Sequence, residues 1–181
     1  MDTLLDSPSD FSTTDARPAL PQPTPGRWQP LRLGLVELFH YDSEEFWFRD
    51  GHLLLRGNNG TGKSKVLSLT LPFLFDAQLK PSRIEPDGDA GKKMAWNLLL
   101  GKLDRRIGYA WIEFGRITDD GQPDYLTLGC GLSAAAARAQ VDAWFFVLER
   151  QRIGAIFERH EIREASKHRR SVRRNVDIYR R

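Results

Sequence analysis

Asp50-Gly51-His52-Leu53-Leu54-Leu55-Arg56-Gly57-Asn58-Asn59-Gly60-Thr61-Gly62-Lys63-Ser64 is the stretch on which the fold turns. Its second half, Gly57 to Ser64, fits G-x-x-x-x-G-K-[ST], the P-loop pattern. A phosphate cradle needs several backbone N–H groups aimed at one point. Glycine reaches the required conformations cheaply and lets the backbone approach without a Cβ. The loop must run into a helix, whose first turn supplies free donors and a partial positive charge. In this pattern Lys63 reaches the β- and γ-phosphates as a point charge and the Ser64 hydroxyl ligates Mg²⁺. The expected nucleotide contacts are Gly57, Asn58, Asn59, Gly60, Thr61, Gly62, Lys63 and Ser64, with Lys63 the catalytic candidate, Ser64 the metal ligand, and ATP and Mg²⁺ the cofactors.

The context required is strand, loop, helix. His52 to Arg56 (HLLLR) predicts a strand buried on both faces. After the loop, Val66, Leu67, Leu69, Leu71 and Leu74 predict a helix opening at Lys63 or Ser64. Pro72 should end or kink it, because its ring clashes with the Ser68 carbonyl. Upstream, Leu31 to Tyr41 and Glu45 to Arg49 read as strands, and Asp50-Gly51 signals a hairpin turn. Downstream, residues 76–91 read as a long loop and Lys92 to Leu103 as a second helix. Strands are expected over Ile107–Ile117, Tyr125–Leu132 and Val141–Arg150.

The outer segments differ in composition. Residues 1–27 are rich in Ser, Thr, Asp and Pro, and read as a disordered leader that cannot bury enough apolar area to offset its ordering entropy. The folded lobe is expected over 28–154. The net charge of +3 is unevenly placed: residues 149–181 hold 11 Lys/Arg against 5 Asp/Glu, and the rest of the chain 16 against 19. Residues 155–181 thus form a basic tail with lost periodicity, read as disordered or as the product of a frame change. Its Arg169, Arg170, Arg173 and Arg174 are candidates for phosphate contact, but aromatic interleaving is almost absent, so single-strand stacking is unsupported.

Several function classes are excluded or disfavoured. No run reaches the roughly 18 apolar residues that span a bilayer, and the acidic start is not a secretory signal. The single cysteine, Cys130, rules out an internal disulfide and a Cys-rich zinc site; between two glycines it reads as a small core residue. His40, His52, His160 and His168 lack metal-site spacing. The simplest setting is cytoplasmic, with no membrane partner.

Antiparallel organisation before the loop and the G-x-N-G-x-G-K-S form together resemble the ABC-type ATPase heads of SMC and RecF relatives. The likeness is closer to the large SMC-like ATPases of bacterial condensin-like anti-plasmid systems, the Wadjet and MukB-like group. It rests on Trp28 to Leu38 (WQPLRLGLVEL), Asp50 to Ser64, Leu71 to Asp76 (LPFLFD) and Met94 to Leu100 (MAWNLLL), and covers roughly residues 27–154. The fold class it implies is α/β: a P-loop NTPase, the N-terminal lobe of an ABC/SMC-type head with an antiparallel β subdomain. It also implies ATP–Mg²⁺ binding, pairing with a second head half or a homodimer partner, accessory condensin-like subunits, and action on DNA. Phe39, His40 or Tyr41 would be placed to hold adenine, and Lys92 and Lys93 to touch nucleotide or DNA; core packing and solvated helix-start charges are the plain alternatives.

The chain departs from that family in lacking a Walker B carboxylate pair and a signature motif. Trp144 to Glu149 (WFFVLE) ends in one carboxylate, Glu149, followed by Arg150, and reads as an ordinary buried strand with a polar end. The expectation is therefore an N-terminal fragment, a truncated paralogue or a frameshifted gene, which binds nucleotide weakly and turns it over negligibly. The alternative is a non-catalytic nucleotide-binding interaction module completed by a partner chain. A small-molecule or nucleoside kinase is a third reading, against which the hairpin before the loop argues.

Overall fold

A computed structural model describes residues 19–85, 93–138, 140–153 and 177–179, the last three by backbone alone. In chain order the elements are β1 (Gln29–Leu38), β2 (Tyr41–Trp47), α1 (Lys63–Asp76), α2 (Pro81–Ile84), α3 (Met94–Leu99), β3 (Arg105–Ile117), β4 (Pro123–Ala135), β5 (Asp142–Glu149) and β6 (Asp177–Tyr179). They build one six-stranded sheet in the order β2-β1-β3-β4-β5-β6, and every pair is antiparallel. The described residues form a wholly antiparallel sheet with few helices, a mostly-sheet lobe that matches the expected antiparallel β subdomain in pairing but not the α/β class.

The alternation of side chains along each strand decides where the helices sit. Leu33 and Leu35 of β1, Ala110 and Ile112 of β3, and Cys130 and Leu132 of β4 share one face. There they meet Val66, Leu69, Phe73 and Leu74 of α1, Ile84 of α2, and Met94, Leu98 and Leu99 of α3. Leu69 and Phe73 are fully buried, and each such side chain contributes about 1.5–3 kcal/mol by leaving water. This packing outweighs the lost hydrogen bond at Pro72, so α1 runs through it to Asp76 rather than ending there. Ala77, at φ 55°, then turns the chain out.

The opposite face is built differently. Trp111 lies over Gly34, Phe146 over Gly129 and Trp144 over Gly131, where a Cβ would have no room. Rings from one strand thus cover the bare backbone of the next. Arg32 and Glu113, both fully buried, share this face.

Three expectations change. The strand placed over His52–Arg56 does not join the sheet. The Asp50-Gly51 turn forms as read, with φ of 50° and 79° and reciprocal Arg49–His52 backbone bonds of 2.8 and 2.9 Å, but only that single bridge follows. Leu53 and Leu55 lean on the core while Leu54 points outward at 73% exposure. The segment keeps a strand's alternation, and among the described residues its backbone has no further strand neighbour. Second, the long strand read over 31–41 breaks after Leu38: Phe39 and His40 form a two-residue turn, with Phe39 at φ 55°. Third, the leader is not featureless throughout. From residue 19 it lies along the sheet, where Pro25 O accepts from Ile117 N (2.9 Å), Pro21 O from Arg152 Nη2 (2.7 Å), and Gln22 Oε1 from the Tyr125 hydroxyl (2.6 Å).

The remaining differences are local. α2 interrupts the expected 76–91 loop, and α3 is shorter than the helix read over 92–103, because Leu100 and Gly101 turn left-handed at φ 54° and 69°. Residues 1–18, 154–176 and 180–181 lie outside the described residues, and with them His160, His168, Arg169, Arg170, Arg173 and Arg174. From the tail, β6 pairs with β5 through Phe145–Tyr179, Phe146–Ile178 and Val147–Asp177.

Candidate phosphate-binding loop

Residues 57–62 leave the extended segment and feed directly into α1. Gly60 and Gly62 hold φ of 85° and 87°, a region other residues enter only at a cost of about 1–3 kcal/mol. Gly62 is also the N-cap of α1 and brings no side chain to the first turn. The helix therefore begins without a capping acceptor, and its leading N–H groups point toward the loop. Asn58 O closes the loop, accepting from Thr61 N at 3.4 Å and from Thr61 Oγ1 at 2.9 Å.

Lys63, the first residue of α1, folds back over this ring. Its ammonium donates to Gly57 O at 2.8 Å and Asn58 O at 2.7 Å, and lies 3.4 Å from Thr61 Oγ1. Ser64 is exposed beside it at the second helical position. The eight residues read from sequence are thus brought together: a ring of backbone, a cation at its mouth and a hydroxyl at the helix start. Mg²⁺ would fall to Ser64 and an acceptor oxygen of the nucleotide. Among the described residues no group of three His, Cys, Asp or Glu side chains is arranged to hold a metal ion alone.

Tyr41 supports the loop from behind. Its hydroxyl donates to Gly62 O at 3.1 Å, and burial, with Glu44 nearby, pushes its phenol pKa up, keeping the donor protonated. A Cβ at position 62 would sit 2.5 Å from that hydroxyl oxygen. Gly62→Ala should therefore suffer twice, from left-handed strain and from the clash. The expected result is about tenfold or greater loss of nucleotide affinity in a chain whose sheet still forms, read by calorimetry and far-ultraviolet circular dichroism.

Of the three adenine candidates, Tyr41 is occupied by this support role. Phe39 is half-buried, its ring 4.2 Å from His40 and 6.0 Å from Trp96, centroid to centroid. His40 is exposed. Trp96, which sequence reasoning passed over, adds a partly exposed ring to the group; two turns of α3 present it, and no spacing linked it to Phe39. Lys93 is exposed at the N-cap of α3, and Lys92 lies outside the described residues. Cys130 is buried under the helices, and burial pushes its thiol pKa up, so it is an inert core residue.

Glu149 lies at the wrong end of the lobe for a Walker B role. Phe75, at the last turn of α1, packs on Phe114; Phe114 pairs with Leu126, and Leu126 with Glu149. The 14 residues of α1 put about 20 Å between that end and the loop. No protein-family model, curated protein or solved structure matches the chain.

Proposed function

We propose that this lobe binds ATP with Mg²⁺ through residues 57–64, as the N-terminal half of an SMC-like, DNA-handling ATPase head. One observation carries the reading: a left-handed glycine loop runs into an uncapped helix, with Lys63 folded across its carbonyls. The free N–H groups of the uncapped first turn of α1 suit the β- and γ-phosphates, and Lys63, released from the loop carbonyls, adds the charge that would stabilise them. Ser64 would complete a Mg²⁺ shell shared with phosphate oxygens and water. In the mechanism the resemblance implies, ATP joins two heads and hydrolysis parts them, moving DNA; accessory subunits belong to that assembly.

A second reading, a nucleotide-binding module completed by a partner chain, is favoured by a specific observation. Leu54 is 73% exposed and its segment has no strand beside it among the described residues, while Leu67 and Phe75 leave apolar surface on the outer side of α1 at 44% and 63% exposure. A second head half would cover such surface.

Calorimetry with ATP and Mg²⁺ tests the binding. ATP and ADP should bind and AMP should bind much more weakly, because Lys63 serves the outer phosphates. The purified chain should show negligible turnover, and ATPase activity should appear only with a chain that supplies a catalytic carboxylate. Equal affinity for AMP and ATP, or no heat at all, would overturn the reading.

A further inference from the structure

Lys65 directly follows the loop's lysine and serine, and sits in the first turn of α1, where a cation is disfavoured by the helix dipole. Its ammonium does not turn to the loop. It donates to Glu85 Oε1 at 2.5 Å and to Asn97 Oδ1 at 3.0 Å, and Asn97 Nδ2 donates to the same Glu85 oxygen at 2.9 Å. The three side chains close a ring. The rings of Phe39 and Trp96 stand 5.6 and 5.8 Å from the ammonium, centroid to nitrogen, within reach of cation–π attraction. Lys65 and Glu85 retain 12% and 3% side-chain exposure, and Asn97 is fully buried.

This ring joins four parts of the lobe. Lys65 belongs to α1, Glu85 follows α2, and Asn97 lies in α3. Asn97 O accepts from Phe39 N at 2.7 Å, which fixes the β1–β2 turn. From that turn Tyr41 reaches back to Gly62 O. The exit of the phosphate loop is therefore held from two sides by one connected network, and the network's charges are spent internally, leaving Lys63 to face the phosphates.

We propose that Lys65, Glu85 and Asn97 are positioning residues that fix the first turn of α1, and so place Lys63 and Ser64 for Mg²⁺–ATP. The functional half of this proposal rests on the ATP-binding reading above. Single substitutions would leave a buried charge unpaired and could unfold the lobe. The double variant Lys65→Met/Glu85→Gln avoids that: the amide introduced at position 85 can still accept from Asn97 Nδ2 and offer an N–H to Asn97 Oδ1, and both charges are gone together.

Two measurements on the full chain decide the matter, each well below the unfolding midpoints of wild type and variant. Hydrogen exchange without nucleotide should be about tenfold faster at Val66 to Leu69, the first hydrogen-bonded amides of α1, in the double variant, with exchange in β3 and β4 unchanged. Mg²⁺–ATP affinity by calorimetry should fall about tenfold or more, with Lys65→Arg recovering part of it. A folded double variant with wild-type exchange at Val66 to Leu69 would overturn the positioning role, whatever the nucleotide result. Faster exchange at wild-type affinity would overturn the placement of Lys63 and Ser64. If the wild-type chain binds no ATP, the ATP reading and the placement claim fall together, while exchange still decides whether the ring holds the loop.

Discussion

Lys63→Ala should reduce ATP binding below what calorimetry detects, while the lobe stays folded. Two consequences of the substitution act together. The ammonium that would meet the β- and γ-phosphates is removed; charge-assisted bonds of that kind are worth about 1.5–3 kcal/mol each, so losing two lowers affinity by about 10²–10⁴-fold. The internal ties from Lys63 to Gly57 O and Asn58 O are lost as well, so the loop must order itself on binding. Neither loss touches the core under α1, where Val66, Leu69 and Phe73 point, so the melting temperature should move by only a few degrees. Lys63→Arg sharpens the measurement. It keeps the charge but carries a broader planar group, which does not fit a ring sized for an ammonium, and should recover little. Unchanged affinity in Lys63→Ala would remove the phosphate site from residues 57–64.

The loop was legible because its chemistry is local. Four glycine, lysine and serine positions within eight residues define it, and the following apolar period defines its helix. The Asp50-Gly51 turn was legible for the same reason, since two consecutive left-handed residues have a narrow sequence signature. Strands β3 to β5 were also read to within a few residues, because each is bounded by turn residues, whereas β6 falls in the segment read as a tail. What failed depended on strand pairing that no local residue announces. His52–Arg56 has a strand's composition, but a strand also needs a neighbour, and the described residues supply only the bridge at Arg49. Phe39-His40 carries no glycine or asparagine to announce a turn; β1 and β2 pair on either side of it and impose the conformation. The positive φ at Phe39 is the local cost of that pairing.

The support around the loop was hidden for a related reason. Lys65 and Asn97 fall inside segments read as helices and Glu85 inside one read as a long loop, and none of the three belongs to a motif. They meet across 20 and 32 positions of sequence, and no short pattern encodes that. A trace did exist: a lysine in a helix's first turn needs a nearby anion, and a fully buried asparagine needs partners for its amide. Such residues mark where tertiary contacts must be found, without saying which.

Glu113→Ala should be the most destabilising single change on the opposite side of the sheet. Glu113 is fully buried and accepts from Arg32 Nε and Nη2 at 3.0 and 2.9 Å, and from Arg152 Nε and Nη2 at 3.1 and 2.6 Å. Arg32 is itself fully buried, stands over Trp111 at 5.0 Å, and among the described residues keeps Glu45, at 3.1–3.2 Å, as its second anion. Removing Glu113 strands most of one guanidinium in the interior and frees a second, Arg152, which also ties the leader through Pro21 O. Breaking a buried pair from one side costs about 3–5 kcal/mol, whereas replacing both partners by apolar groups is often neutral. Urea unfolding should therefore show a loss of that size for Glu113→Ala, and Arg32→Met/Glu113→Leu should regain most of it. A single-variant loss below about 1 kcal/mol would mean the pair is solvated in solution and does not hold β1 to β3. The helices and the 57–62 loop lie on the other face, so on the proposed reading the folded fraction of either variant should match wild type in ATP affinity. That separation distinguishes this network from the Lys65 ring, where stability and nucleotide affinity should change by different routes.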